Sequence, residues 1–184
     1  MRKLLFLFVA ISLIISFRII NPEAAGSFTR RVMLPFKVAL LYAGEPDREI
    51  AVPVDGVQLS RVKDSWHAPR AGGRLHEGQD IFAARGTIVY SATRGYVVRK
   101  GENELGGNTV FVMGAGGRNY YYAHLDSYAP DLAVGDYVTP ETVLGYVGTT
   151  GNAAGTPPHL HFGVYASGGT IDPLPLMRDG GKKK

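Results

Sequence analysis

The sequence contains no cysteine among its 184 residues. A chain without cysteine forms no disulfide, offers no thiolate to a metal ion or to a nucleophilic mechanism, and carries no lipidated N-terminal cysteine. Any metal site in this protein must therefore be built from His, Asp or Glu.

The middle of the chain also lacks a concentrated run of positive charge. The formal net charge is +4, but six of the 20 Lys and Arg residues lie in the terminal segments: Arg2, Lys3, Arg18, Lys182, Lys183 and Lys184. A nucleic-acid-binding surface needs concentrated basic residues interleaved with aromatic ones, and the middle of the chain does not provide them. We therefore predict that no nucleic acid is a partner.

Leu- and Ala-rich helical stretches are rare beyond the first twenty residues. The chain instead has 24 Gly and 11 Pro, which separate short β-branched or aromatic runs. Many turns between short strands produce this composition, so an all-β domain is predicted. The runs that we predict as strands are Thr87 to Ser91, Tyr96 to Arg99, Thr109 to Met113, Asn119 to His124 and Thr142 to Val147.

A long hydrophobic run occurs at the N-terminus. Met1-Arg2-Lys3 precedes fourteen uncharged, mostly apolar residues, Leu4 to Phe17, and small residues follow at 24–26. This pattern is typical of a signal peptide, although an uncleaved membrane anchor and a buried core helix stay open. We expect residues 1–26 to be a hydrophobic leader helix, a signal peptide or membrane anchor. Membrane contact is expected only through residues 4–20, if the leader is not cleaved.

The rest of the chain divides into three parts. Residues 27–61 form a preamble of unknown role, in which Arg31 to Leu41 and Glu49 to Val54 are predicted as strands. Residues 62–177 form the main domain. Residues 178–184 are a basic tail that we expect to be loose.

Two of the five histidines, His159 and His161, lie in a strictly alternating segment. Leu160, Phe162 and Val164 point to one side, while both histidines, Gly163 and Tyr165 point to the other. The two imidazoles therefore stand side by side, where one can bind a metal while the other acts on water. Two histidines on a solvated strand face are the structural alternative.

A possible second pair of ligands is His76 and Asp80. A fully extended four-residue step covers about 13 Å, so the backbone must bend for both side chains to reach one ion, and Gly78 is where it bends most easily. Asp80 begins the apolar run Ile81-Phe82, so its partly buried carboxylate needs a partner such as a metal ion. Alone, this spacing is a weak motif.

The other two histidines have a weaker pattern. His124 follows a tyrosine run, and alternation places Tyr120, Tyr122 and His124 on one face. A lone histidine at a strand end is more often structural than catalytic. His67, beside Trp66, is interpreted as structural.

Taken together, these motifs resemble the lysostaphin/LytM-type family of zinc metallopeptidases. The order His76-x-x-x-Asp80, Tyr122-Ala-His124-Leu, His159-Leu-His161 matches, as do Gly107-Asn-Thr-Val110 and Gly145-Tyr-Val-Gly-Thr-Thr-Gly-Asn152. The resemblance covers about residues 62–177.

The resemblance implies a compact antiparallel β-sheet domain with a loop-lined groove. It also implies that His76, Asp80 and His161 bind Zn²⁺, and that His124 and His159 flank the catalytic water. The expected activity is zinc-dependent hydrolysis of peptide bonds in peptidoglycan by an exported monomer, either periplasmic or anchored in the inner membrane facing the cell wall.

Several points stay open in the sequence. It decides neither which of His124 and His159 is the general base nor which peptidoglycan bond is cut. A catalytically inactive protein of the same fold that activates another cell-wall hydrolase is an alternative. A lipoyl-type carrier is another, but it needs a lysine in a hairpin, and none lies between Lys100 and Lys182. The loops expected to set specificity are Trp66 to Gly73, Gly101 to Gly107 and Gly148 to Pro158.

Overall fold

The structure, a computed structural model, describes residues 22–179. The predicted leader therefore lies outside the described residues, except for its last five positions, and residues 180–184 of the predicted tail do so as well. Within residues 22–179, no helix is both long enough and apolar enough to cross a membrane.

One α-helix, α1 (Pro22–Tyr42), precedes the strands in the described part of the chain. The prediction of a strand over Arg31 to Leu41 is therefore wrong. Leu34, Val38 and Leu41 are spaced at about one helical turn, and all three are half-buried on the same side of α1. The spacing of these apolar residues therefore favours a helix in this segment, and the β preference of its β-branched residues does not decide the structure.

Apart from five 3-10 helices of three residues each, the remaining elements of the described chain are strands, which confirms the predicted all-β domain. Nine of the strands form one sheet: β2 (Gln79–Phe82), β3 (Ile88–Tyr90), β4 (Gly95–Asn103), β5 (Gly107–Gly114), β6 (Asn119–Tyr128), β7 (Tyr137–Val138), β8 (Val143–Val147), β9 (His159–Ala166) and β10 (Gly169–Ile171). The sheet is antiparallel with the order β10-β9-β6-β5-β4-β7, to which β2 adds through β9, and β8 and β3 through β6.

Two short strands lie outside this sheet. β1 (Ile50–Ala51), within the predicted strand Glu49 to Val54, pairs in parallel with β11 (Met177–Arg178). Ile50, Val52 and Val54 are buried with the core of the sheet. The packed core therefore includes residues from the N-terminal side of Val62.

Alternation along the strands separates the core from the groove. Leu160, Phe162 and Val164 of β9 have no exposed surface, as predicted, and they pack with Tyr120 and Tyr122 of β6. The opposite side of these strands is left for functional side chains.

Register then brings three strands together at one point. Asp80 of β2 and Ala123 of β6 both pair with His161 of β9, one on each side. Residues that are 81 positions apart in sequence thus become neighbours in the sheet.

Candidate active site

The side chains of His76, Asp80 and His161 meet at one point above β2 and β9. His76 Nε2 lies 3.0 Å from Asp80 Oδ1 and 2.8 Å from His161 Nδ1, and His161 Nδ1 lies 3.1 Å from the same Oδ1. His76 and Asp80 are buried, and the His161 side chain is only 15% exposed. The three predicted ligand residues therefore share one site.

The bend at Gly78 makes this convergence possible. A Cβ atom at Gly78 would lie 2.7 Å from both the His161 ring and the Phe162 carbonyl oxygen. Only glycine lets the backbone approach β9 this closely, which turns His76 towards Asp80.

Hydrogen bonds at the rear of the cluster fix which atoms face its centre. His76 Nδ1 lies 2.7 Å from the Ser65 carbonyl oxygen, which can only accept, so Nδ1 carries the proton and Nε2 presents a lone pair. Asp80 Oδ2 accepts a 2.5 Å hydrogen bond from Arg70, which leaves Oδ1 for the cluster. Two electron-rich atoms, His76 Nε2 and Asp80 Oδ1, thus face His161 Nδ1.

The charge states agree with a cation site. Burial lowers the pKa of His161 and favours its neutral form. Burial alone would raise the pKa of Asp80, but its contacts with His161 and His76 outweigh burial and hold this pKa well below its ordinary value. Two imidazole nitrogens and one carboxylate oxygen are a donor set that fits catalytic zinc, which needs three protein ligands and an open fourth position.

Gln79 supports this cluster from the core side. The side chain is fully buried; its Oε1 accepts hydrogen bonds from the Ser65 N–H at 2.9 Å and the Ser65 hydroxyl at 3.0 Å. Its Nε2 donates to Asp64 and Asp172. Ser65 in turn accepts from His76 and from the Asp80 N–H, so Gln79 holds the loop that orients two of the three residues.

If the cluster binds zinc as the resemblance implies, we expect Gln79→Leu to weaken that binding about 10- to 100-fold, because removal of outer hydrogen-bond partners releases the orientation of the ligands. Competition with a chromogenic chelator measures this affinity. Ile81→Val, which trims the core from the same strand without touching these hydrogen bonds, is the control. Equal zinc affinity in Gln79→Leu and the native chain would contradict the supporting role.

His124 reaches the site through a β-bulge. Ala123 and His124 together lie opposite the single residue Thr109, and His124 has a φ of 62°. The prediction that Tyr120, Tyr122 and His124 share a face is wrong, since both tyrosines are in the core while His124 lines the groove. The bulge adds one residue, and this reverses the alternation.

His124 and His159 both direct Nε2 towards the site. His124 Nδ1 lies 2.9 Å from the Thr150 carbonyl oxygen, and His159 Nδ1 lies 2.9 Å from that of Pro157, so each Nδ1 donates. Burial lowers the pKa of His124 to about 4, which leaves its imidazole neutral near pH 7. The centroids of the His124 and His159 rings are 5.1 Å apart, and His159 Nε2 lies 3.9 Å from Asp80 Oδ1. The pair therefore places two imidazole rings beside the cluster, where they can exchange protons.

The fifth histidine does not belong to this group. His67 is exposed, has a φ of 55° and stacks on Trp66 with ring centroids 4.5 Å apart. This arrangement agrees with a structural interpretation.

The cluster opens into a groove of about 930 Å³. All three loops predicted to set specificity contribute to its lining, through residues such as Arg70, Leu105 and Thr156. Tyr121 also lines it, with its ring 5.9 Å from that of His161, and burial raises the pKa of this phenol. Sequence reasoning missed Arg70, Gln79 and Tyr121; the alternation that buries Tyr120 and Tyr122 is the signal that could have found Tyr121.

Several known proteins are similar to this chain in sequence and in fold. The L-Ala–D-Glu endopeptidase of Bacillus subtilis (strain 168) is 37% identical over 127 residues, which covers 63% of this chain and 39% of the relative. The catalytic domain of the antimicrobial peptidase lysostaphin from Staphylococcus simulans has a TM-score of 0.56 at 31% identity, covering 64% of this chain and 92% of that domain. A zinc-containing peptidase from Vibrio cholerae has a TM-score of 0.58 at 25% identity, covering 70% and 39%.

The curated relatives are longer than the matched region, which is 39% of the Bacillus protein and 24% of a full-length lysostaphin. The pattern of Peptidase family M23 matches residues 74–173, more than half of the chain. This span includes His76, Asp80, His124, His159 and His161, whose side chains line one groove. The chain therefore belongs to peptidase family M23.

Proposed function

We propose that this protein is a zinc-dependent endopeptidase that hydrolyses peptide bonds of peptidoglycan, in cross-links or stem peptides. One observation carries the proposal: His76 Nε2, Asp80 Oδ1 and His161 Nδ1 lie within 2.8–3.1 Å of one another. Each of these atoms can offer a lone pair to a cation, and a cation between them offsets the repulsion between those lone pairs. His76, Asp80 and His161 are assigned as the zinc ligands.

Zinc in this site would polarise the substrate carbonyl and acidify a water molecule. His124 and His159 are assigned to proton handling, since a hydrogen bond from each Nδ1 to a carbonyl oxygen holds the ring and directs Nε2 to the site. They orient the attacking water, receive its proton and return a proton to the leaving amine, as general acid–base groups do. Because burial keeps His124 neutral near pH 7, its ring does not repel a bound cation.

The substrate class is supported by the relatives and by the shape of the groove. Relatives carry the names L-Ala–D-Glu endopeptidase and DD-carboxypeptidase/endopeptidase. The groove is open and bordered by loops, which suits an extended peptide. A peptidoglycan substrate lies outside the cytoplasm, so we propose an exported protein, periplasmic or anchored in the inner membrane.

A non-catalytic binder of the same fold is disfavoured by the site itself. Loss of ligand residues is what we expect of such a protein, whereas all five groups implied by the family resemblance are here and face one groove. The experiment below separates the two functions.

We expect the purified chain with one equivalent of zinc to shorten cross-linked muropeptides, as measured by mass spectrometry. A chelator such as 1,10-phenanthroline abolishes this cleavage, and added zinc restores it, because the ion supplies the electrophile. Zinc bound at one per chain without any cleavage would favour the binder. A folded chain that takes up no zinc would overturn the zinc assignment.

A further inference from the structure

The outer face of α1 is apolar and exposed. Five side chains, which we name the outer face, are between 41% and 64% exposed: Phe28, Val32, Met33, Phe36 and Leu40. At 100° per residue they lie on one side of the helix, opposite Leu34 and Leu41. Isolated apolar residues on a surface are ordinary, but a contiguous patch of this kind marks an interaction site.

The inner side of α1 is fixed to the domain, so the helix cannot rotate to hide this face. Arg30 forms a 2.7 Å ion pair with Asp136, and Lys37 lies 5.2 Å from the centre of the Tyr96 ring. The Tyr42 ring covers Gly117 so closely that a Cβ atom there would lie 2.4 Å from it.

We propose that the outer face of α1 lies on a lipid bilayer, with its apolar side chains among the acyl chains near the headgroups. The proposal goes beyond the proposed peptidase activity and does not depend on it. In sequence, the apolar run Leu4 to Phe17 ends four residues before Pro22, the first described residue of α1, so a membrane that held this run would be within reach of α1.

The charges around the helix favour lipid over other occupants. From Phe28 to Tyr42 there is no acidic residue, and Arg31, which is exposed, borders the outer face. Aromatic and aliphatic residues on one face with cations at its border are typical of helices that lie in the membrane interface and attract anionic headgroups.

This contact would orient the catalytic groove. α1 packs against β4, β5 and the turn at 115–117. From that turn, β6 runs from Asn119 to His124, a distance of about 16 Å in extended chain. A bilayer against the outer face would therefore hold His124 at about this distance along β6 from the turn that α1 contacts.

The absence of native cysteine allows a direct test on the full chain. A single cysteine introduced by Phe36→Cys carries an environment-sensitive fluorophore, and the protein is mixed with vesicles of equal parts phosphatidylethanolamine and phosphatidylglycerol. We expect doxyl-labelled lipid to quench this fluorophore at least about twofold, because an interfacial helix places position 36 among the acyl chains.

The control is Glu104→Cys, an exposed position at the far end of the β4–β5 hairpin, where we expect almost no quenching. Phe28→Glu with Leu40→Glu in the Phe36→Cys chain should abolish the quenching at position 36. Unquenched label at position 36 on vesicle-bound protein would overturn the proposal. So would disulfide-linked dimers through Phe36→Cys with unquenched label, which would identify a second copy as the occupant.

Discussion

Replacement of His161 by alanine is expected to remove zinc binding and peptide hydrolysis together, with hydrolysis falling by at least about 10³-fold. His161 supplies one of three converging atoms, and its Nδ1 lies within 3.1 Å of both others. With two ligands left, the ion is held too weakly to stay bound. Zinc per chain by elemental analysis and muropeptide cleavage by mass spectrometry measure the two losses.

His67→Asn is the matched control for this variant. It also removes one imidazole, from an exposed residue outside the cluster, and asparagine tolerates the positive φ of 55° at this position. We expect zinc content and cleavage near the native values, and circular dichroism should show a folded chain for both variants. Full zinc occupancy in His161→Ala would refute the ligand assignment.

Replacement of His124 by asparagine is expected to lower kcat by about 10²- to 10⁴-fold while zinc stays bound, as for the loss of a general acid–base group. Asparagine again suits the backbone, because His124 has a φ of 62°. With a pKa of about 4, the His124 imidazole is neutral near pH 7 and can receive a proton transiently during the reaction. The short amide of asparagine cannot do so.

His159→Gln should behave in the same way, since its Nε2 faces the same cluster at 3.9 Å from Asp80 Oδ1. The double variant should lose little more than either single one, because residues that act as a unit are not additive. Loss of zinc from His124→Asn or His159→Gln, with the fold intact, would place that histidine among the ligands instead. Unchanged kcat would exclude a role in proton transfer.

Some parts of this site could be predicted from local sequence because local geometry decides them. Alternation from His159 to Tyr165 places two histidines on one face and three apolar residues in the core, and β9 follows this pattern. Gly78 between His76 and Asp80 predicts the bend that joins them, because a Cβ atom there would collide with β9.

Other parts could not be predicted because they depend on distant contacts. In the sequence, nothing distinguishes Gln79 from other polar residues. It supports the histidine–aspartate cluster only because Ser65 and Asp172 fold against it. Residues 31–41 have the apolar content of a strand, but they form a helix because the sheet offers a surface for Leu34 and Leu41. Local propensity is weak, and tertiary packing overrides it.

The sequence by itself determined the chemistry: without cysteine, the donors had to be histidine and carboxylate, and residue spacing placed them on strands and turns. Only the tertiary structure decided how those side chains are oriented. The bulge at His124, the Thr150 carbonyl oxygen that holds its ring, and the outward direction of the apolar face of α1 depend on contacts between segments far apart in the chain. Side-chain identity is local, whereas register, tautomer and exposure depend on which neighbours the fold supplies.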